Sequence, residues 1–152
     1  MDWILGIRGR ITAGSMIKQV IVLKIYTTSR EDYLKAIFVL QKRSQEVRAV
    51  DVARYLGFSR PSVSHAVNLM SNEGYLYVDS KYALHLTDKG LEVASKTYER
   101  HCFFTKHLID LGVDPTTAME DACRLEHAIS DESFAKLKAK LEPQSAAETA
   151  AD

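Results

Sequence analysis

The stretch from Ala49 to Leu86 constrains this chain most. Ala49-Val50-Asp51-Val52-Ala53-Arg54-Tyr55-Leu56 reads as a short helix, stopped by Gly57 in the manner of a left-handed cap. Almost at once Ser59 offers an N-cap and Pro61 falls in the first turn of the next helix, where its missing N–H costs nothing. Val63, Ala66, Val67 and Met70 give that helix one apolar stripe. Asn72-Glu73-Gly74 ends it. Tyr75–Val78 and Tyr82–Leu86 then read as two short strands around Asp79-Ser80-Lys81. Upstream, Thr28 with Glu31, or Ser29 with Asp32, has capping-box spacing ahead of the apolar face of Tyr33, Leu34, Ile37, Phe38 and Leu40. Helix, helix, tight turn, helix and hairpin is the layout of a winged helix-turn-helix.

That order gives the third helix a purpose. One side is apolar for the core, and the other presents Arg60, Ser62, Ser64, His65 and Asn68. Small polar residues and an arginine on one helical face suit base edges in a major groove. Ser59, Arg60, Pro61 and Ser62 sit at its N-terminus, where free N–H groups favour phosphate. Lys81, at the hairpin tip, is placed to meet the DNA backbone as a wing. A solvated three-helix bundle has the same polar face, so the distinction lies in the full order of elements through Leu86-Thr87-Asp88-Lys89-Gly90.

The second half reads as helical throughout. Thr87-Asp88 caps a long helix with the expected stripe Leu91, Ala94, Tyr98, Cys102, Thr105, Leu108 and Ile109, ended by Gly112. Asp114-Pro115 opens another that runs through Ile129, and Ser130-Asp131-Glu132 opens a last one with Phe134, Leu137 and Leu141 inward. The expected architecture is mainly α: a winged domain over residues 27–90, then an all-helical domain over 91–142. Residues 1–26 form an extension of a different pattern, and 143–152 a disordered tail.

Charge sharpens the division. The chain is formally neutral. Residues 1–26 carry +3, residues 27–99 carry +1, and residues 100–152 carry −4. The acidic end is where a divalent cation is welcome, and any grip on phosphate must come from local placement of basic groups. Cys102 and Cys123 lack the number and pairing of a disulfide framework, which fits a reducing cytoplasm. The apolar run Ile17–Tyr26 is too short and too lysine-punctuated to span a bilayer, so no membrane partner is expected.

Within the acidic half stands Glu120-Asp121-Ala122-Cys123-Arg124-Leu125-Glu126-His127. Residues at i, i+3 and i+4 share a helical face, so Cys123, Glu126 and His127 converge while Ala122, Leu125 and Ile129 face the core. A thiolate, a carboxylate and an imidazole together make half of a transition-metal site. His101, on the long helix, and Asp32, at the start of the first, are candidates to complete it. Bland readings stand beside this one: a small core thiol, a surface carboxylate, a polar group near a helix end, and Asp32 as a capping acid. Catalysis is disfavoured. Cys102 and His101 are adjacent on a helix and point about 100° apart, and the trio has no evident oxyanion donors or small-molecule substrate pocket.

Residues Thr27 to Leu141 resemble the diphtheria toxin repressor family of iron- and manganese-dependent repressors. The resemblance is carried by Thr28-Ser29-Arg30-Glu31-Asp32-Tyr33-Leu34, Pro61-Ser62-Val63-Ser64, Leu86-Thr87-Asp88-Lys89-Gly90, Tyr98-Glu99-Arg100-His101 and the run from Asp121 to Glu132. It implies a homodimer that binds a palindromic operator in double-stranded DNA when loaded with metal, its second domain serving dimerisation. It also implies Asp32, His101, Cys123, Glu126 and His127 as ligands. The manganese branch of that family carries glutamates where this chain has Lys35 and Cys123. The iron branch has the cysteine, but its ancillary glutamate and histidine fall here on Thr105 and Met119. The set is therefore a hybrid. Sulfur in the shell favours Fe(II) over Mn(II), with Zn, Co or Ni able to bind in vitro. A winged-helix regulator with a structural metal, or with thiol redox sensing at Cys123, is the alternative.

Overall fold

The computed structural model of the protein describes residues 29–44 and 46–142. The readings of residues 1–26, of the Thr27-Thr28 cap and of the 143–152 tail lie outside them. The described chain begins with helix α1 over residues 29–41. It continues with α2 (Ala49–Leu56), α3 (Arg60–Asn72), β1 (Leu76–Val78), β2 (Leu84–Leu86), α4 (Asp88–Asp110), α5 (Pro115–Ala128) and α6 (Asp131–Leu141).

Local chemistry sets the boundaries. The Asp51 carboxylate accepts from the Arg48 N–H at 2.9 Å ahead of α2, and Gly57 ends that helix at φ 70°. The Ser59, Thr87 and Ser130 hydroxyls cap α3, α4 and α6, and the Asp114 carboxylate caps α5. The strands pair antiparallel, Leu76 opposite Leu86 and Val78 opposite Leu84. The Leu84 N–H donates to the Val47 carbonyl at 2.7 Å, hooking the hairpin onto the entry of α2. Leu34, Ile37, Val47, Val52, Val63, Met70, Leu76 and Leu84 are buried together as the core of the winged half. Ala94 of α4 joins the same cluster. Gly90, in the first turn of α4, makes this docking possible, because a Cβ there would stand 1.9 Å from the Tyr75 carbonyl oxygen.

The stripe expected on α4 is a correction. Ala94 is buried as expected, but Leu91, Cys102 and Ile109 are exposed, and the buried positions are Gly90, Ala94, Thr97, Arg100 and Phe103. The reason is polar satisfaction. Thr97 bonds back to the Val93 carbonyl at 2.9 Å, and Arg100 finds partners on α5 and α6, so both enter the interior that apolar periodicity reserves for hydrophobes. Leu125, Leu137 and Leu141, expected inward, are likewise exposed, while Ala122 and Phe134 are buried.

Candidate metal centre and nucleic-acid interface

Three helices converge on one buried carboxylate. Helix α5 brings Cys123, Glu126 and His127 along one face, α4 brings His101, and α1 brings Glu31, Asp32 and Lys35. Both ends of α5 are fixed. Asp114 accepts from the N–H groups of Thr116 at 3.0 Å and Thr117 at 3.3 Å. At the other end the buried Arg100 guanidinium donates to the Ile129 carbonyl at 3.1 Å and the Glu126 carbonyl at 3.5 Å, and pairs with Asp131.

The Glu126 side chain is fully buried. Its Oε2 meets His101 Nδ1 at 2.9 Å, and its Oε1 meets His127 Nε2 at 3.2 Å and the ammonium of Lys35. Cys123 Sγ lies 3.7 Å from His101 Nδ1. His127 reaches across to α1 with both nitrogens: Nδ1 to Glu31 Oε2 at 2.5 Å, and Nε2 to Asp32 Oδ1 at 3.0 Å. Two donor triads result, His101–Cys123–Glu126 and Asp32–Glu126–His127. The ligand atoms of each lie within 4.8 Å of one another, and Glu126 belongs to both.

Electrostatics follow from this crowding. Burial alone would push His127 down, but its bonds to Asp32, Glu126 and Glu31 outweigh that and raise it to about 11. His101 is raised to about 9, first by its contact with Cys123 and then by Glu126, against burial. Burial works against ionised Glu126, yet bonds from His101, His127 and Lys35 hold its carboxyl at about 2. Burial would lower Lys35, but Glu126 overrides it and moves the ammonium up. The cluster thus sets carboxylates against two imidazole rings and one ammonium, with the Cys123 sulfur beside them. Carboxylate, imidazole and thiol donors at these separations, with a fully buried carboxylate common to both triads, fit a divalent transition-metal ion that would take the place of the imidazole protons.

Asp32, His101, Cys123, Glu126 and His127 therefore meet in one place, from segments far apart in sequence. Thr105 and Met119 do not join them: the Thr105 hydroxyl is buried with no hydrogen-bond partner among the described residues, and Met119 is exposed. Three residues that sequence reasoning gave no place in the centre belong to its surroundings. Glu31 reads in the sequence only as a capping acid. Lys35 was visible as a departure from a family pattern. Arg100 carried the signal of a charged residue on the α4 face opposite the expected stripe.

In the winged half, Ser59, Arg60, Pro61, Ser62, Ser64 and His65 are all exposed at and along the start of α3, and Lys81 is exposed at the hairpin tip. The Ser59 hydroxyl accepts from the Ser62 N–H at 3.3 Å and lies 2.7 Å from the Ser62 hydroxyl, so this pair also serves the cap. The hairpin tip is ordered by Asp79, which accepts from the N–H groups of Lys81 at 2.8 Å and Ala83 at 3.0 Å, and meets His85 Nε2 at 2.8 Å. Tyr82, beside Lys81, takes a left-handed φ of 63° and stands 77% exposed.

Residues 26–84 match the model of the iron dependent repressor N-terminal DNA binding domain, and residues 87–145 that of the iron dependent repressor metal binding and dimerisation domain. The chain belongs to the diphtheria toxin repressor family of metal-dependent transcriptional repressors. An uncharacterised HTH-type transcriptional regulator of Methanocaldococcus jannaschii is 33% identical over 75% of this chain and 93% of its own length. The transcriptional regulator MntR of Escherichia coli O157:H7 is also 33% identical, over 68% of this chain and 67% of its own. Among solved structures of the family, the manganese regulator SloR superposes with a TM-score of 0.68 at 30% identity, over 76% of this chain and 54% of its own. A manganese-dependent transcriptional repressor in complex with manganese gives 0.66 at 32%, over 74% and 52%. This chain thus spans about half the length of those solved chains. Transcriptional repression is not an enzymatic activity. Among the described residues no helix is long and apolar enough to cross a membrane.

Proposed function

We propose that this protein is a cytoplasmic homodimeric repressor whose affinity for a palindromic DNA operator is set by a divalent ion held among Asp32, His101, Cys123, Glu126 and His127. One observation carries the reading: the donor cluster joins α1 of the winged half to α4 and α5, with His127 of α5 bonded to both Glu31 and Asp32 of α1. The ion supplies concentrated positive charge that the carboxylates, thiolate and imidazoles share when it is bound.

The chain's own groups do the rest. Asp32 couples the position of α1, and through the shared core α3, to the centre. His127 and Glu126 hold the α5 side, and Arg100 keeps the end of α5 in place. On the outer face, Arg60, Ser62, Ser64 and His65 meet base edges and phosphates, with Ser59 and Pro61 shaping the start of α3 and Lys81 meeting the backbone from the wing. Two recognition helices in a dimer must stand about one turn of B-DNA apart, some 34–36 Å. A ligand that fits only the competent arrangement raises the population able to meet that spacing without touching DNA.

Fe(II) is the preferred effector because Cys123 places sulfur among the donors, and softer ligands favour the later metal. Mn(II) is the second reading, favoured by the hard oxygen of Asp32 on α1. The test is binding of promoter fragments from metal-uptake genes by the purified protein, titrated anaerobically with Fe(II) and with Mn(II) against a chelated control. Binding switched on by either ion supports a metal switch, and the ion that is more effective at free concentrations found in a cell is the signal. Equal binding in chelator would remove the switch and leave a winged-helix regulator with a structural metal.

A further inference from the structure

The residue that least fits a metal centre is Lys35. Its side chain is nearly buried at the middle of the donor cluster, an expensive place for an ammonium unless anions surround it. Three do. Nζ pairs with Glu126 Oε1, lies 3.5 Å from Asp32 Oδ1, and lies 4.0 Å from Cys123 Sγ. Those are the acidic groups of both triads: Asp32 from one, Cys123 from the other, and the carboxylate common to both. Among the described residues, the other titratable groups packed around it are His101 and His127, each on Glu126, and Glu31 on His127.

We infer that the Lys35 ammonium is a built-in cation occupying one of two cation positions in this cluster, so that each protomer takes one divalent ion and not two. The deduction rests on the proposed metal centre above. Two triads sharing one carboxylate provide donors for a pair of cations, as a shared bridging group does in two-metal sites. Here the ammonium, against Glu126 Oε1 and Asp32 Oδ1, already takes up negative charge that would balance a second ion, which leaves the five donors to share one. A second divalent ion would also stand within a few ångströms of a fixed positive charge in a site poorly screened by water.

The tether has a second consequence. Lys35 sits one helical turn after Asp32 on α1, so its pairing with Glu126 ties α1 to α5 without any metal. A diffusible cation would leave when metal is scarce. This one stays.

The experiment counts Mn(II) bound per protomer at saturation, by equilibrium dialysis with elemental analysis, for the full chain and for Lys35→Glu and Lys35→Gln. Melting of each metal-free protein is followed in parallel, and circular dichroism checks that each is folded. The expected result is one ion in the parent and two in Lys35→Glu, which supplies a carboxylate where the ammonium stood. Lys35→Gln, which vacates the position without adding charge, should gain a second ion bound at least tenfold more weakly than the first. Both metal-free variants should melt below the metal-free parent. Two ions in the parent, or one ion in both folded variants, would overturn the inference. No ion in the parent would instead overturn the metal centre itself.

Discussion

His127 Nε2 and Asp32 Oδ1 lie 3.0 Å apart although 95 residues separate them in the chain. This bond and its neighbour from Nδ1 to Glu31 put an imidazole between two carboxylates of the DNA-binding half. Whatever changes the charge of that ring changes what holds α1 against α5. Proton, ammonium and metal ion are alternative ways of balancing the same anions, and this governs how the protein should respond to its surroundings.

The first consequence is a proton count. With His101 at about 9 and His127 at about 11, both rings are imidazolium at neutral pH. Metal coordination requires neutral imidazole, so each ion that binds both rings should release about two protons from them. Its affinity should then rise by up to about 100-fold per pH unit near neutrality. Calorimetry in buffers of different ionisation enthalpy reads the number directly, and release of none would contradict the assignment of both histidines as ligands.

Stability of the metal-free protein should run the opposite way. The folded-state pKa values of His101 and His127 lie above the ordinary 6.5, so their contribution is fully present below pH 6.5 and is lost as pH climbs through about 9 toward 11. Thermal melting in chelator should therefore show a less stable protein at pH 9.5 than at pH 6.5, and added metal should narrow or reverse that difference.

Gly90 provides a test of the fold that is independent of the metal. In most helices Gly→Ala stabilises by about 1 kcal/mol. Here the added Cβ would collide with the Tyr75 carbonyl oxygen, which belongs to backbone and cannot rotate away. Gly90→Ala should destabilise by about 1–3 kcal/mol, the usual cost of overpacking, as measured by urea unfolding. A stabilised variant would mean that α4 does not approach the Tyr75 backbone so closely.

Arg100 offers a positioning test. Arg100→Met keeps the bulk of the side chain but strips the guanidinium from the Glu126 and Ile129 carbonyls and from Asp131. Buried carbonyls left without a donor cost about 1–3 kcal/mol each. Urea unfolding should show a loss of that order. Metal affinity should fall with it, because the freed end of α5 carries Glu126 and His127. Unchanged metal affinity in a destabilised variant would confine Arg100 to a structural role.

Much of this is legible in the sequence. Gly57, Ser59, Pro61, Thr87, Asp114-Pro115 and Ser130 marked helix ends because capping is local chemistry, written in a few adjacent residues. The convergence of Cys123, Glu126 and His127 followed from helical spacing alone. The inward face of α4 did not, because Arg100 and Thr97 are buried only by virtue of partners distant in sequence or back-bonded within the helix. Nor could spacing place the Glu31 carboxylate on His127 or the Lys35 ammonium on Glu126, contacts that bridge 96 and 91 residues. Those depend on how α1 docks against α5, which only the folded chain states.

The most direct test of the central claim uses Asp32→Ala, which removes the carboxylate of the winged half from the donor cluster. Operator binding is measured by fluorescence anisotropy with saturating metal and with chelator, alongside sedimentation to follow the dimer. The account predicts an intact dimer in which the metal-induced gain in operator affinity, about 5–150-fold for coupling of ordinary size, has disappeared. Full metal activation in that variant would contradict the claim that the metal acts by joining α1 to α5.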